Sequence, residues 1–367
     1  MLGEYDVIVV GAGINGLCAA WWLNRRGAHV AVVEQHALGH DRGSSHGRSR
    51  ITRSAYADAD YVRLMQVAHG EAWPALEADA GAPLRMKRDG CFFGPTDGPF
   101  QDYVAAIAAV DVDAEVIEGA EARRRFPMFR FPAGVAAVHD RTAAVVAAAD
   151  TMAALARLVR ARGVVVIEGG AVQGLDAERN CVETSVGRLF AERIVVAAGP
   201  WTDRLLPALK PRLTPVRQTV GYFDVPGAAD FPVWAWRGVD DFYYGLPAFQ
   251  RPGLKAANHR VSGVADNPDV VGSMPLDDVR AFLAEHLTAP VGELLASETC
   301  FYTNTDDEDF VIDHAPGAPN VVVAAGMSGH GFKFGPLTGR ILAELALDGA
   351  TTIPAFEACR SRFRWGA

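Results

Sequence analysis

The chain has 367 residues, of which 50% are apolar and 22% are charged, as in a globular protein with a sizeable core. Its 35 basic and 44 acidic residues give a net charge of −9 without a basic tract, which gives no support for nucleic acid or an anionic membrane surface as a partner. The apolar run 7–10 is too short to span a bilayer and follows no basic segment, so we expect a cytoplasmic protein.

The first predicted strand and helix carry the pattern of a dinucleotide-binding turn. Residues 6–10 form a short β-branched apolar run, and a G-x-G-x-x-G sequence follows at Gly11, Gly13 and Gly16. Gly11 permits the tight turn, Gly13 lets the backbone approach a pyrophosphate, and Gly16 lets the helix pack closely on the strand. The helix, predicted over 15–26, offers its N-terminal N–H groups to phosphate.

A second strand and an acidic residue complete this unit. Gly27 caps the predicted helix, and the strand predicted over 29–33 ends at Glu34. Glu34 lies 18 residues after Gly16, which is about where a carboxylate binds an adenosine ribose. Strand, helix, second strand and acid together predict a dinucleotide site, but the motif fits FAD and NAD alike.

Two more strand–glycine units lie far along the chain. Residues 194–198 precede Gly199, and residues 321–325 precede Gly326. Both units favour FAD, because a large cofactor that is buried along its length needs backbone from several strands. The alternative is that both glycines simply end ordinary strands of an α/β sheet.

The segments between these units have a different pattern. Residues 216–309 alternate apolar and polar side chains with many aromatic ones, as antiparallel strands do. We therefore predict an α/β fold, with a Rossmann-like, doubly wound FAD-binding domain and an inserted α+β substrate domain built on an antiparallel sheet. The first domain is discontinuous and takes residues 1–85, 145–215 and 310–367, and the second takes 86–144 and 216–309.

The cysteines and histidines give no metal-ligand spacing. No C-x-x-C occurs among the five cysteines, which are Cys18, Cys91, Cys181, Cys300 and Cys359. Scattered thiols are typical of a reducing compartment, where most are small buried apolar groups. His46, His259 and His330 are spread too widely for a ligand set, so no metal site is predicted. We interpret His46 as a structural histidine with satisfied hydrogen bonds.

Four further segments resemble one family of flavoenzymes. They are SSHGRSRITRSAY (44–56), GLKAANH (253–259), TCFYTNTDDEDFVID (299–313) and AAGMSGHGFKFGP (324–336). With the glycine-rich turn, they resemble the monomeric sarcosine oxidase family of the amino-acid-oxidase group, in matching order over nearly the whole chain. N-methyltryptophan oxidase and pipecolate oxidase look like close relatives. The resemblance implies FAD as cofactor, a secondary amino acid as substrate and molecular oxygen as acceptor, with an imine and hydrogen peroxide as products.

The resemblance also implies which residues contact the flavin. Cys300 matches a cysteine that bonds covalently to the flavin ring. Lys255 matches the lysine at the flavin face where oxygen is reduced, and Arg50 matches a positive neighbour of the ring. The full set expected to contact FAD is Gly11, Gly13, Gly16, Glu34, Ser45, Arg50, Gly199, Cys300, Gly326, Gly329 and Lys333.

Substrate contacts follow from the same resemblance. Arg53 and Lys333 match the pair that holds the substrate carboxylate. His259 and Tyr244 match residues that line the substrate cavity, and Tyr302 is a further expected wall. The catalytic group implied by the resemblance is Lys255, His259, Arg50 and Tyr244.

Without the resemblance, the same residues leave alternatives open. Arginine suits two-point recognition of a carboxylate, but Arg50 and Arg53 also fit a solvated basic loop. Lys333 lies between two phenylalanines after the third strand–glycine unit, where open α/β sheets bind ligands. Lys255 taken alone is typical of a surface strand.

Other activities also stay open. An FAD-dependent amino-acid dehydrogenase would pass its electrons to an acceptor other than oxygen. A nicotinamide-dependent dehydrogenase fits the same glycine-rich turn. A flavoprotein without catalytic activity is a further alternative.

Overall fold

The computed structural model describes residues 3–265, 267–270 and 272–366. Its α-helices, in chain order, are α1 (Ile14–Arg25), α2 (Ala59–Val67), α3 (Trp73–Ala80), α4 (Phe100–Ala108), α5 (Gly119–Arg125), α6 (Ala148–Ala161), α7 (Thr202–Leu205), α8 (Asp277–His286), α9 (Gly335–Asp348) and α10 (Pro354–Cys359). None of the helices in these ranges has the length and apolarity needed to cross a membrane.

The strands, also in chain order, are β1 (Gly3–Val10), β2 (Val30–Val33), β3 (Ser49–Thr52), β4 (Arg85–Lys87), β5 (Gly90–Pro95), β6 (Ala114–Glu118), β7 (Val135–Asp140), β8 (Ala144–Ala147), β9 (Val165–Ile167), β10 (Val172–Asp176), β11 (Cys181–Thr184), β12 (Gly187–Val196), β13 (Thr214–Phe223), β14 (Val233–Arg237), β15 (Phe242–Leu246), β16 (Leu254–Asn258), β17 (Gly263–Val264), β18 (Leu294–Asn304), β19 (Val311–Ala315) and β20 (Ala318–Ala325). They form three sheets.

The first sheet is parallel at its centre. β1 lies between β2 and β12, and all three run in one direction. β20 pairs in parallel with the last part of β12, while β11 pairs antiparallel with its first part. Because β20, β12 and β1 are neighbours and parallel, their carboxyl ends meet at one edge of the sheet. Gly11, Gly199 and Gly326 follow these three ends, so the three predicted strand–glycine units converge.

The predicted strand–helix–strand unit at the N-terminus is confirmed, with small changes in its bounds. α1 begins at Ile14, and Gly27 follows it with a φ of +88°, a left-handed conformation that glycine adopts without strain. The second predicted strand–glycine unit is less accurate. β12 ends two residues before residue 198, and it begins at Gly187 because its first part forms a hairpin with β11.

Both faces of the central strands are buried. Val7 and Val9 of β1 pack in one core with helix α1, whereas Ile8 and Val10 pack in a second core on the opposite face. Each of these four side chains is at most 3% exposed, and burying one contributes about 1.5–3 kcal/mol. A strand with no polar face is what the apolar run predicts, and the predicted α/β class is confirmed.

The second sheet is antiparallel apart from one pair of strands. Its order is β17-β13-β16-β15-β14-β5-β7-β6, with β18 also paired to β13. β5 and β14 are parallel. This direction is open to them because they come from separate segments, and no hairpin forces them to be antiparallel. Phe282 of α8 stacks on Tyr243 and packs on Trp234 at one face of the sheet. Tyr244 points to the other face, because side chains alternate along a strand.

The third sheet is small and joins the other two. β8 lies between β3 and β4 and pairs antiparallel with both. β3 carries Arg50 and is followed directly by Arg53. The strands of the first sheet all lie within the predicted FAD-binding segments, and those of the second sheet lie in the predicted substrate segments apart from the start of β13 at Thr214. The division into two domains stays a prediction.

Candidate active site

A cavity of about 970 Å³ opens at the carboxyl edge of the first sheet. Gly11, Gly199 and Gly326 line it, as do Gly13 and residues of the segment that precedes β3. Of the residues expected to contact FAD, those that line this cavity are Gly11, Gly13, Glu34, Ser45, Arg50, Gly199, Cys300, Gly326 and Gly329. Gly16 lies behind the wall, and Lys333 lines a neighbouring cavity instead.

Gly11 and Gly16 hold the turn between β1 and α1 in its tight form. Gly11 has a φ of +97°, and a Cβ atom there would lie 2.5 Å from the carbonyl oxygen of Ala197. A Cβ atom on Gly16 would lie 1.9 Å from the carbonyl oxygen of Gly11. Both contacts are with backbone, which cannot rotate away. The two glycines therefore bring the N-terminus of α1 against the strand and leave the cavity open above it.

Replacing Gly16 with alanine is expected to lower the free energy of unfolding by about 1–3 kcal/mol, because the added methyl group overpacks against fixed backbone. The flavin content of the purified protein should also fall, since the N-terminus of α1 would move. Gly70 is the matched control: a Cβ atom there has nothing within 4 Å. Denaturant unfolding and flavin absorbance measure both effects, and equal behaviour of G16A and G70A would contradict this account of the turn.

Glu34 and Ser45 hold the wall of this cavity by hydrogen bonds to backbone. Glu34 is buried at the end of β2, where its Oε2 accepts from the N–H of Ala12 at 2.9 Å and its Oε1 from the N–H of His36 at 2.9 Å. Ser45 Oγ accepts from the N–H of Ile14 at 3.0 Å. His40 Nε2 also lies 3.5 Å from Oε1, whereas Oε2 keeps a free lone pair, so Glu34 can still accept from a ligand hydroxyl.

Two buried polar atoms at the cavity wall fit a polar cofactor. Asn15 Oδ1 and His46 Nε2 have no hydrogen-bond partner in the described part of the chain, and both residues line the cavity. A buried polar atom without a partner costs about 1–3 kcal/mol, which a bound cofactor with complementary groups removes. His46 thus differs from its interpretation as a satisfied structural histidine. Its sequence neighbours give no sign of this, because the unpaired atom depends on the fold.

A second cavity, of about 370 Å³, adjoins the first. His46, Arg50, Cys300, Tyr302 and Gly329 are among the residues that line both. The second cavity is also lined by the remaining residues expected at the substrate, namely Arg53, Tyr244, Lys255, His259 and Lys333. The fold therefore brings all of the expected catalytic and substrate-binding residues to one cavity.

Arg53 and Lys333 are buried cations that both contact Tyr56. Arg53 is 7% exposed and its Cζ lies 4.6 Å from the centre of the Tyr56 ring, while Lys333 is 7% exposed and its Nζ donates to the Tyr56 hydroxyl at 3.0 Å. Neither forms an ion pair with an acidic residue among those described. Burial, with the charge of Arg53, holds the pKa of Lys333 well below its ordinary value. Two buried cations without an acidic partner fit a carboxylate in charge and in hydrogen-bond donors.

Neutral groups form the opposite wall of this cavity. The hydroxyls of Tyr244 and Tyr302 are hydrogen-bonded at 2.9 Å, and the His259 ring centre lies 5.3 Å from that of Tyr302. Burial raises the pKa of Tyr244 to about 12. Burial, followed by the charges of Lys333 and Arg53, lowers the pKa of His259 to about 3. His259 is therefore neutral at physiological pH and can accept a hydrogen bond from an amine.

Lys255 and Arg50 form a second cationic group beside the second cavity, and Arg50 also lines the first. Both donate to the carbonyl oxygen of Ser49, Lys255 Nζ at 3.0 Å and Arg50 Nη1 at 2.9 Å. Lys255 is 4% exposed, and burial, followed by the charge of Arg50, lowers its pKa to about 7. The negative charge of Glu298 acts to raise the pKa of Lys255. The Glu298 carboxylate accepts hydrogen bonds from the Tyr222 hydroxyl at 2.8 Å and from Arg251 Nη1 at 2.5 Å.

Cys300 differs from the other cysteines in its position. Cys18, Cys91, Cys181 and Cys359 are buried, as expected for packing residues, whereas Cys300 is half-buried and faces both cavities. Burial raises the pKa of the Cys300 thiol, while the charges of Arg50 and Lys255 act to lower it. Cys300 thus differs from the four packing cysteines, because it lines a cofactor-sized cavity and lies in the electrostatic field of two cations.

Sequence reasoning missed several residues of the site. The Tyr56 hydroxyl accepts from Lys333 Nζ, and the Tyr103 hydroxyl accepts from Arg53 Nη1 at 3.2 Å. His330, considered in the sequence only as a metal ligand, lies with its Nδ1 3.3 Å from the Tyr56 hydroxyl. Glu298 lies two residues before Cys300 on β18 and so points to the same side of the strand. Glu298 could have been found from the sequence, because it lies two residues before Cys300 in a predicted strand. Nothing in the sequence singles out Tyr103.

Comparisons with known proteins identify the family of this chain. The chain matches the family described as FAD dependent oxidoreductase, DAO, over residues 6–345. It is 33% identical over 366 residues to the monomeric sarcosine oxidase of Arthrobacter sp. (strain TE1826), covering 95% of this chain and 94% of that protein. It is 30% identical to the N-methyl-L-tryptophan oxidase of Salmonella agona (strain SL483), covering 94% of this chain and 95% of that protein.

A solved structure supports the same fold. NikD, an unusual amino acid oxidase essential for nikkomycin biosynthesis, superposes in its open form with a TM-score of 0.84 at 26% identity, covering 99% of this chain and 97% of NikD. The family match removes the nicotinamide-dependent alternative and confirms the predicted resemblance to sarcosine and N-methyltryptophan oxidases. The chain therefore belongs to the DAO family and is an FAD-dependent oxidoreductase that acts on the CH–NH group of amino acids.

Proposed function

We propose that this enzyme oxidises secondary amino acids, N-methylated or cyclic, to imines and passes the electrons to oxygen, which gives hydrogen peroxide. The observation that carries the proposal is the pair of buried, unpaired cations, Arg53 and Lys333, in a cavity that adjoins the cofactor-sized one. Relatives named as oxidases of sarcosine and of N-methyl-L-tryptophan support a secondary amine as the second recognised group.

The first cavity would hold FAD. The N-terminus of α1 and Gly13 would bind the pyrophosphate, Glu34 the adenosine ribose, and Asn15 and His46 would gain partners for their unpaired atoms. We also propose that the three segments forming the first sheet are one FAD-binding domain, with the second sheet as the substrate domain. FAD, when bound, accepts the equivalent of a hydride from the substrate carbon and returns the electrons to an acceptor.

The second cavity would fix the substrate through its carboxylate. Arg53 and Lys333 would bind the two carboxylate oxygens, which places the amine towards the wall of neutral groups formed by Tyr244, Tyr302 and His259. The amine must be unprotonated to react. The buried cations disfavour a further positive charge, so they lower the pKa of the bound amine. Neutral His259 is placed to accept a hydrogen bond from that amine.

Arg50 and Lys255 would stabilise negative charge where the two cavities meet. Their shared contact with the Ser49 carbonyl holds both cations in place before any charge develops. Such preorganised charge in a site closed to water stabilises an anion more than the same charge in solvent. We assign Lys255 to the reduction of oxygen and Arg50 to the neighbourhood of the flavin ring.

Cys300 would bind the flavin covalently through a thioether to a methyl group of its ring. The thiol and the methyl group would each lose one hydrogen, and the two electrons released would pass to oxygen, the proposed acceptor. Its position between the cavities and beside two cations supports the bond. We expect the yellow colour to stay with the pellet when the purified protein is precipitated with acid. The colour should move to the supernatant for C300A, while C91A, a buried packing cysteine on β5, keeps it in the pellet. Release of all colour from the wild-type protein would contradict the bond.

A peroxide-coupled screen tests the proposed reaction. N-methyl and cyclic secondary amino acids should produce hydrogen peroxide, whereas their amides should react far more slowly, because an amide leaves the two cations without an anion. Equal rates for acids and amides would overturn the carboxylate site. Oxidation of the acids without peroxide, detected with an artificial electron acceptor, would overturn oxygen as the acceptor.

A further inference from the structure

Two more arginines line the substrate cavity on the side of His259. They are Arg237, at the end of β14, and Arg260, just after β16. Strand pairing brings Arg237 near His259, the residue that precedes Arg260. Arg237 lies opposite Phe242, and the N–H of His259 donates to the carbonyl oxygen of Phe242 at 2.7 Å. The Arg237 Cζ lies 5.6 Å from the centre of the Phe242 ring, which lies 5.0 Å from that of His259.

Neither arginine has an acidic partner within the described ranges. Arg237 is half-buried, and its guanidinium forms no hydrogen bond or ion pair with another side chain in the described part of the chain, while Arg260 is exposed at the cavity opening. The nearby Asp241 accepts from Trp236 Nε1 at 3.0 Å. Trp236 precedes Arg237 in the strand and packs in the core of the opposite face, so Asp241 is held away from the cavity.

The acidic residues at the cavity opening are mostly occupied by other cations. Asp58 and Asp309 bind Arg362 at 2.7 Å and 2.9 Å, and Asp307 lies 3.8 Å from Arg212. Glu308 is exposed. The unpaired charge on the His259 side is therefore positive, and the charges of Arg260 and Arg237 both act to lower the pKa of His259.

We propose that Arg237, with Arg260, forms a second anion subsite, so that the preferred substrates are secondary amino acids with an acidic side chain. The α-carboxylate would bind Arg53 and Lys333, and the side-chain carboxylate would bind the guanidinium of Arg237. The inference rests on the proposed function, because it assigns the first carboxylate to that pair. A half-buried guanidinium on a strand favours carboxylate, whose two oxygens match its fork of donors.

A matched pair of substrates tests this subsite. N-methyl-L-glutamate and N-methyl-L-glutamine have nearly the same shape and differ in the side-chain charge. We expect kcat/KM to be about tenfold to a hundredfold higher for N-methyl-L-glutamate, because one charge-assisted contact changes an affinity by about that factor. R237M should reduce this ratio to near one, chiefly by lowering kcat/KM for N-methyl-L-glutamate. R237K, which keeps the charge, should retain part of the preference.

Arg188 provides the control for the loss of one positive charge. It is exposed on β12 and pairs with Glu183 at 2.8 Å, away from both cavities, so R188M should leave the ratio unchanged. No preference for N-methyl-L-glutamate in the wild-type enzyme, or an unchanged preference in R237M, would overturn the subsite. Absence of reaction with either substrate and with N-methyl-L-alanine would instead overturn the proposed function.

Binding gives a readout that does not depend on turnover. Glutarate and its monoamide differ by one carboxylate, and neither has an amine to oxidise. Perturbation of the flavin absorption spectrum should give a Kd about tenfold lower for glutarate, and R237M should remove the difference. Equal affinity of the wild-type holoenzyme for both compounds would contradict the subsite even if the enzyme oxidises every secondary amino acid tested.

Discussion

R53A should raise the KM for secondary amino acids and lower kcat/KM by about tenfold to a hundredfold, because the carboxylate loses a charge-assisted contact of about 1.5–3 kcal/mol. Arg53 is 7% exposed and has no acidic partner in the described part of the chain, so its charge is available to a ligand. Its guanidinium contacts the Tyr103 hydroxyl at 3.2 Å and packs over the rings of Tyr56 and Phe92. These contacts hold it in one orientation before substrate binds.

Controls separate lost recognition from lost packing. R53K keeps a cation but not the planar fork, so its kcat/KM should lie between those of the wild type and R53A. Thermal unfolding of each variant shows how much the missing contacts with the aromatic rings cost. Steady-state kinetics with sarcosine and with its amide complete the test. A KM for sarcosine that R53A leaves unchanged would show that the carboxylate binds elsewhere.

K255M should slow the reaction of the reduced enzyme with oxygen by about a hundredfold or more, while flavin reduction by substrate changes little. Negative charge develops on oxygen as it accepts an electron, and a fixed cation in a site closed to water stabilises that charge by several kcal/mol. Lys255 is 4% exposed, and its Nζ is held by the Ser49 carbonyl at 3.0 Å. Stopped-flow absorbance measures the two half-reactions separately.

The pH dependence of the oxygen reaction gives a second test of Lys255. Because the pKa of Lys255 is lowered to about 7, its charged fraction falls as the pH rises through that value. The rate with oxygen should therefore decrease above about pH 7, or at a higher pH if a bound anion raises the pKa. K255R keeps its charge at every accessible pH and should lose this decrease. A rate with oxygen that is the same in K255M and the wild type would remove Lys255 from this step.

The start of the fold could be predicted because its signals are local. A buried strand, three spaced glycines and a helix cap all lie within 27 residues, and each has a direct backbone reason. The pairing of β5 with β14 could not be predicted, because no turn sequence connects these strands. The early beginning of β12 was also missed, because its first residues alternate and pair with β11 rather than continuing the apolar run.

The candidate site was harder to predict from the sequence than the start of the fold. Lys255 fits a surface strand in sequence, but every residue of β16 is buried because the strand has neighbours on both sides and cover on both faces. Arg53 likewise fits a solvated loop in sequence, but in the fold it packs over the rings of Tyr56 and Phe92. Their roles came from resemblance, since the burial of a cation is a property of the whole fold and not of its neighbours in sequence.

Anaerobic mixing of the purified yellow enzyme with an N-methyl amino acid tests the central claim most directly. We predict that the flavin absorbance band bleaches, that oxygen restores it, and that each restored flavin yields one hydrogen peroxide. The carboxamide of the same N-methyl amino acid should bleach the band far more slowly at equal concentration, because it lacks the carboxylate. A band that no secondary amino acid bleaches, in protein shown to contain FAD, would contradict the proposed oxidation of secondary amino acids.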